Sequence, residues 1–132
     1  MTESLESSRG NEENMVPVQI STSMEGKAYT ATLRCVVNGK EYVSETKGTG
    51  DKTDSRQRLE LLAVVSALGR MNNRTTYITI KGSGYIKTGF EYLQVWEAAG
   101  WKKTNGKPVA NADLWQKAAE VARIHRITIF LT

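Results

Sequence analysis

The sequence is poor in the residues that build disulfides and transition-metal sites. It contains one cysteine, Cys35, and one histidine, His125, among 132 residues. A single cysteine cannot form an internal disulfide, and one cysteine with one histidine cannot supply a Cys/His metal site. Any metal site in this chain would therefore have to be built from carboxylates.

Long hydrophobic runs are also absent. No apolar stretch approaches the roughly 18 residues needed to span a bilayer, and the polar segment from Met1 to Asn14 has no signal-peptide core. We therefore expect no membrane association and a cytoplasmic location. Hydrophobic residues make up 39% of the chain and charged residues 24%, which is typical of one soluble domain and excludes collagen-like, coiled-coil and fully disordered proteins.

The charge is unevenly distributed along the chain. Residues 1–15 carry four acids and one base, a net charge of −3, so the whole-chain value of +4 leaves +7 for residues 16–132. We expect a disordered acidic tail over residues 1–15, followed by one domain over residues 16–132. A basic body with an acidic tail favours an anionic partner such as nucleic acid, although the same charge could serve only solubility.

Hydrophobic periodicity and turn residues predict eight elements. Strands are expected from Val16, over Ala28 to Val37, over Lys40 to Thr46, over Thr75 to Ile80 and over Arg126 to Thr132; helices are expected from Asp54 to Met71, from Gly84 to Ala99 and from Asn111 to Arg123. The first helix should bury Leu59, Leu62, Ala63 and Ser66. Gly48 to Thr53 and Trp101 to Ala110 are predicted loops.

Three local signals fix the connections between these elements. Asn38-Gly39 suits a type I′ hairpin turn, because both residues tolerate positive φ. Asp54 with Gln57 resembles an N-cap with its reciprocal partner, and Asn111 is the expected cap of the last helix. Strands separated by helices pair in parallel, whereas the first three can form a meander. The prediction is an α/β fold: a mixed five-stranded sheet with helices on its faces.

Several segments together resemble the type 1 ribonuclease H family. They are Val18-Gln19-Ile20, Arg58-Leu59-Glu60-Leu61-Leu62-Ala63, Ser83-Gly84-Tyr85-Ile86, Gly100-Trp101-Lys102, Lys107-Pro108-Val109 and Asn111 with Asp113-Leu114-Trp115-Gln116. The resemblance runs in order from Val16 to Thr132. It implies a ribonuclease H-like fold with sheet order 3-2-1-4-5 and a surface built for an RNA/DNA hybrid.

The resemblance also implies a catalytic site, which this sequence fills only in part. Family members hold two magnesium or manganese ions with four carboxylates. Only Glu60 matches an acid; Ser23 and Gly82 occupy two of the other positions, and the fourth belongs to a helix expected beyond Thr132. The chain thus resembles a degenerate, C-terminally truncated member with a vestigial Glu60 and no metal. Glu60 could equally be an ordinary acid on an exposed helix surface.

The family's nucleic-acid surface is also altered in part, since Glu97, Ala98 and Ala99 stand where the family pattern has cations. The basic protrusion corresponds to Trp96 to Ala110, in which Trp101, Lys102, Lys103 and Lys107 are the candidate contacts. Arg56 and Gln57 replace a polar pair that contacts the RNA strand, and Ser83 and Gly84 at a helix start could hold a phosphate through backbone N–H groups. Lys81 would repel a divalent cation and favour a phosphate.

These residues lead to one main hypothesis and two alternatives. The main hypothesis is a ribonuclease H-like domain that has lost catalysis and binds RNA/DNA hybrid or other nucleic acid weakly. The alternatives are a scaffold that meets a protein partner, and a divergent active ribonuclease that would need magnesium or manganese. No other cofactor is implied, and the sequence leaves the oligomeric state open.

Overall fold

The computed structural model describes residues 16–71 and 77–132. The predicted acidic tail and the predicted strand start at Thr75 lie outside these residues. The described elements are β1 (Val18–Glu25), β2 (Ala28–Val37), β3 (Lys40–Thr49), α1 (Arg56–Leu68), β4 (Tyr77–Gly82), α2 (Gly84–Ala98), α3 (Ala112–Ala122) and β5 (Arg126–Leu131). None of the described helices is long and apolar enough to cross a membrane.

The five strands form one sheet in the order β3-β2-β1-β4-β5, which confirms the predicted topology. β1, β2 and β3 pair antiparallel, and β4 pairs in parallel with both β1 and β5. The fully buried strand residues, among them Ile20, Leu33 and Ile80, share one face of the sheet. α1 and α2 contact the strands, and α3 packs against both of these helices, so all three helices lie on this one side of the sheet.

The β2–β3 hairpin forms as the sequence predicts. Asn38 and Gly39 both adopt positive φ, 53° and 78°, which a type I′ turn requires. β3 continues past Thr46 to Thr49, however, so the following loop begins at Gly50. Gly48 stays in the ladder because the ring of Tyr29 lies over it, where a Cβ would come within 2.2 Å of the tyrosine hydroxyl. The turn signal of this glycine was therefore misleading.

The start of α1 also differs from the prediction. Ser55 is the N-cap, and its hydroxyl accepts the N–H of Arg58 at 3.0 Å. Asp54 instead accepts the N–H of Asp51 at 2.7 Å and forms an ion pair with Arg58. Both residue types are good N-caps, but the Asp54 side chain is bonded within the preceding loop and to Arg58, and Ser55 takes the N-cap position.

The buried surface of α1 is wider than the sequence pattern suggested. Leu59 and Ala63 are buried as predicted, whereas Leu62 and Ser66 are only half-buried. The helix also buries Leu61, Val64, Ala67 and Leu68. It contacts the sheet on one side and the other two helices elsewhere, so more than one stripe is covered. α1 ends at Leu68 with Gly69 as its C-cap, before the predicted Met71.

Trp115 is the centre of the contact between α2 and α3. Its side chain is fully buried and packs against Tyr85, Phe90 and Trp96, with ring centroids 5.5–5.7 Å apart. Gly89 allows this approach, because a Cβ there would lie 2.1 Å from the indole ring. The indole therefore fills the space that the side chain of any larger residue at position 89 would occupy.

We predict that Gly89→Ala destabilises the protein by about 2 kcal/mol or more, because overpacking a rigid core typically costs ~1–3 kcal/mol. Gly84→Ala is the matched control, since a Cβ at Gly84 meets nothing within 4 Å. We expect it to be neutral or to add up to ~1 kcal/mol through better helix propensity. Urea unfolding of both variants checks this prediction, and equal stabilities would contradict it.

Candidate functional site

β1 and β4 stop pairing before their carboxyl ends, and we call the space beyond their last paired residues the crevice. The two strands pair only from Val18–Ile78 to Ile20–Ile80, so Ser23 and Gly82 lie beyond the last paired position. In parallel α/β sheets, functional groups collect at such ends. Ser23 is exposed and Gly82 is buried, and neither offers a carboxylate to this crevice.

Glu60 is the acid that the resemblance to the family singles out, and its side chain is already engaged. Its carboxylate accepts the backbone N–H of Ser83 at 2.9 Å and the hydroxyl of Ser83 at 2.6 Å. Glu60 is 8% exposed, so the alternative of an ordinary acid on an exposed helix surface is wrong. Ser83 is the N-cap of α2 but makes no side-chain bond to its own helix. The Glu60 carboxylate therefore caps α2 from α1.

This arrangement changes the prediction for Ser83 and Gly84. The Ser83 N–H expected to hold a phosphate already donates to Glu60, and the carboxylate places negative charge where the phosphate would lie. Gly84 is exposed at the first helical position. The N–H and the hydroxyl of Ser83 are therefore engaged within the protein, and Ser83 is a partner of Glu60.

The described residues do not fit a two-metal site. Within residues 16–71 and 77–132, no three His, Cys, Asp or Glu side chains group closely enough to hold a metal ion. The position of Gly82 is also sterically restricted, because a Cβ there would come within 3.0 Å of Ile86. An aspartate at this position would fit only if Ile86 gave way by a few tenths of an ångström.

Lys81 lies apart from Glu60. It is exposed between the buried residues Ile80 and Gly82, and it pairs with Phe130 of β5. Strand alternation places its Cβ on the face of the sheet away from the helices. The structure therefore does not bring the Lys81 ammonium beside Glu60, as the sequence had suggested.

The candidate contacts Arg56 and Gln57 lie at the start of α1, and the candidate lysines lie in the loop after α2. Arg56 and Gln57 form the first turn of α1, next to its cap Ser55. The predicted loop after α2 is a small hairpin closed by a bridge between Lys102 and Pro108. The N–H of Lys103 donates to the carbonyl of Lys107 at 2.8 Å within this hairpin.

The hairpin brings its three lysines together at the surface. Lys102, Lys103 and Lys107 are all exposed, and Gly106 turns the chain at a φ of 83°. Trp101 is half-buried against Trp96, with ring centroids 6.4 Å apart, and ties the hairpin to α2. We call residues 101–108 the basic hairpin.

A groove beside the basic hairpin was not foreseen. It has a volume of about 510 Å³ and is lined by Thr88, Tyr92, Val95, Trp96, Ala99, Lys102, Lys103 and Thr104. Tyr92 stacks on Trp96 at 5.8 Å with an interplanar angle of 21°. The apolar residues at positions 92, 95 and 96 follow helical spacing, a signal that could have revealed this exposed stripe. The groove combines aromatic faces with two cations.

A hydrogen-bonded network joins the first turns of α1, α2 and α3. Arg58 donates to Asp113 at 2.8 and 3.1 Å and to the side-chain oxygen of Asn111 at 3.1 Å. The Asn111 amide and the Trp115 indole N–H both donate to the Tyr85 hydroxyl. Asn111 is the N-cap residue of α3, as predicted, but its φ is 60° and its side chain makes no capping hydrogen bond.

The ion pair in this network is reflected in the pKa values of its members. The hydrogen bond from Arg58 lowers the pKa of Asp113 below its usual value, and the same contact raises the pKa of Arg58. Arg58 also forms an i,i+4 ion pair with Asp54. The guanidinium thus joins the start of α1 to the start of α3.

The strand order, the helices and the crevice define a ribonuclease H-like domain. A family model described as RNase H matches residues 20–131, and the chain belongs to this family. It is 39% identical over 85 residues to a ribonuclease H of Jannaschia sp. (strain CCS1), covering 64% of this chain and 54% of that protein. With the ribonuclease H of Paramagnetospirillum magneticum (strain AMB-1) the identity is 34% over 94 residues, covering 70% and 60%. The chain therefore spans between half and three-fifths of these relatives.

Solved structures support the same fold. A foamy viral protease-reverse transcriptase in complex with dsDNA superimposes with a TM-score of 0.67 at 16% identity, covering 87% of this chain and 80% of that chain. LC9-RNase H1, a type 1 RNase H with the type 2 active-site motif, gives a TM-score of 0.63 at 17% identity, covering 89% and 63%.

We predict that the Glu60–Ser83 contact contributes to stability. Glu60→Ala should cost ~1–3 kcal/mol, because it leaves the part-buried donors of Ser83 without their acceptor. Ser83→Ala should cost less, since its N–H can still donate. The two losses should not add, and a double-mutant cycle should give a coupling of roughly 0.5–3 kcal/mol.

Urea unfolding of the two single variants and the double variant measures this coupling. Glu120→Ala on the exposed side of α3 is the control, and it should change stability by less than ~0.5 kcal/mol. Strictly additive losses would mean that the contact has no energetic role.

Proposed function

We propose that this chain is a nucleic-acid-binding domain of the RNase H family that does not carry out two-metal hydrolysis. It binds RNA/DNA hybrid, or another nucleic acid, weakly through a basic surface. The observation that carries this proposal is the Glu60 carboxylate, whose two oxygens both accept hydrogen bonds from Ser83. Ser23 and Gly82, at the positions that correspond to two further acids, have no carboxylate to contribute.

The charge distribution favours nucleic-acid binding over the alternative of a scaffold that meets a protein partner. The net charge on residues 16–132 is +7, and three of the lysines that contribute to it are exposed on one hairpin. Lysines neutralise phosphates and release counterions, which supplies most of the sequence-independent affinity for nucleic acid. The stacked pair Tyr92–Trp96 lies in the groove beside these lysines. Exposed aromatic faces next to cations suit unpaired bases or sugar faces.

Arg56 and Gln57 extend the same proposal to a second contact. They are exposed on the first turn of α1, where the helix dipole also favours an anion. Both side chains can donate to phosphate or 2′-hydroxyl groups, and the 2′-hydroxyl is the group that distinguishes RNA from DNA. The named relatives are ribonucleases H, which makes a hybrid the first ligand to test.

We predict no cleavage of an RNA/DNA hybrid in magnesium or manganese. The reason is that Glu60 lacks the neighbouring carboxylates with which two divalent cations would be neutralised. A labelled hybrid incubated with the protein, and analysed on a denaturing gel beside an active ribonuclease H, measures this. Metal-dependent cleavage that disappears in Glu60→Ala would establish the divergent active ribonuclease instead.

We predict that Lys102→Ala, Lys103→Ala and Lys107→Ala together weaken hybrid binding and lower its salt dependence by about one unit of slope per lysine. The control carries Lys40→Ala and Lys47→Ala, exposed lysines of β3. Titrations of labelled hybrid, duplex and single strand at two salt concentrations give the slopes. Binding that is absent at low salt would leave the scaffold with a protein partner as the better interpretation.

A further inference from the structure

The two edges of the sheet differ in how they are protected. The edge strand β3 carries four charges, Lys40, Glu41, Glu45 and Lys47, which is the usual way in which proteins prevent edge pairing. The opposite edge strand, β5, reads Arg-Ile-Thr-Ile-Phe-Leu and carries one charge, at Arg126. Within residues 16–71 and 77–132, β5 pairs only with β4. Its second edge therefore presents free backbone groups with little charge.

Apolar side chains are exposed on this strand. Phe130 is 56% exposed and Leu131 is 61% exposed. They lie on opposite faces of the sheet, because successive strand residues alternate. A partner that pairs with β5 would therefore cover apolar surface on both faces of the sheet at once.

We propose that β5 is the docking edge for a second copy of this chain. Two β5 strands pair antiparallel about a twofold axis at Ile129, which joins the two sheets into one of ten strands. In this register Ile129 lies opposite its own copy, and Ile127 lies opposite Leu131 of the second copy. Arg126 lies opposite Thr132, so no like charges face each other. Opposite apolar residues are the unit of stabilisation between paired strands.

A groove on the helix side of β5 fits this register. It has a volume of about 260 Å³ and is lined by Lys87, Phe90, Glu91, Ile127, Thr128 and Ile129. Leu131 of the second copy is opposite Ile127 on this same face, so its side chain reaches the groove. Lys87 and Glu91 form an ion pair, which leaves no net charge on the α2 side of the groove. The site is thus apolar at its base and electrically neutral at its rim.

The size of the contact sets the strength of the association. A pairing of about six residues from each chain buries less than the ~1,200 Å² typical of stable interfaces. The dimer is therefore weak, with dissociation constants in the range of roughly 10 µM to 1 mM. It does not depend on nucleic acid, so it holds or fails independently of the proposed function.

Sedimentation velocity without nucleic acid, from roughly 10 µM to roughly 1 mM protein, tests the proposal. We expect the average mass to rise from 14.7 kDa towards twice that value. Leu131→Lys should keep the protein monomeric over the whole range. Val43→Lys is the matched control, because Val43 is 49% exposed on the other edge strand and the substitution adds the same charge.

Hydrogen exchange of the unmodified protein provides the second measurement. The N–H of Thr132 faces β4, so by alternation those of Ile127, Ile129 and Leu131 face outward. Amide protection of these three residues should increase with protein concentration, while that of β3 should not. A protein that stays monomeric at all concentrations would overturn the proposal. A dimer that Val43→Lys abolishes and Leu131→Lys preserves would overturn it equally, because it would place the interface at β3.

Discussion

The placement of the β4–α2 junction depends on one buried contact, the pair of hydrogen bonds between Glu60 and Ser83. A carboxylate removed from water must find charge-assisted partners inside the protein, because an unpaired buried charge is very costly. Ser83 supplies two donors from one residue, and the geometry is good, with both distances at or below 2.9 Å. The contact fixes the start of α2 against α1, and with it one wall of the crevice between β1 and β4.

The same contact decides what Glu60 can do chemically. A metal ion would have to replace two hydrogen bonds, each worth about 1.5–3 kcal/mol when one partner is charged. With several carboxylates in the crevice, the ion's own attraction would outweigh this loss. Ser23 and Gly82 contribute no carboxylate to that attraction. Glu60 has a structural role in this arrangement, because it holds the start of α2 against α1.

The helices are oriented by neighbouring residues of α1 that reach different partners. Arg58 reaches α3 through Asp113 and Asn111, whereas Glu60 reaches the start of α2. Two residues apart on a helix point about 200° apart, so the pair braces α1 on two sides. Trp115 then closes the space between α2 and α3 over Gly89. The basic hairpin follows α2 directly and inherits its position from this packing.

Sequence reasoning succeeded where the signal was local and periodic. Asn38-Gly39 predicted its turn because only a few residues tolerate two positive φ values in succession. It failed where a side chain had a choice of partners. Asp54 and Ser55 are equally good caps in isolation, and Asn111 keeps the N-cap position while its side chain bonds to Tyr85 and Arg58 instead of its own helix. Such choices are made by tertiary contacts that no single sequence displays.

The crevice illustrates a further limit of sequence comparison. By sequence alone, Ser23 and Gly82 differ from the expected family residues by lacking carboxylates, so two substitutions would be expected to restore three of the four acids. In the structure, a Cβ at Gly82 meets Ile86 on α2, and α2 is held at its start by Glu60 through Ser83. To admit an aspartate, Ile86 in the first turn of this helix would have to give way by a few tenths of an ångström. The missing acids and the role of Glu60 are therefore physically coupled, because the packing around Gly82 and the capping of α2 stabilise the same arrangement.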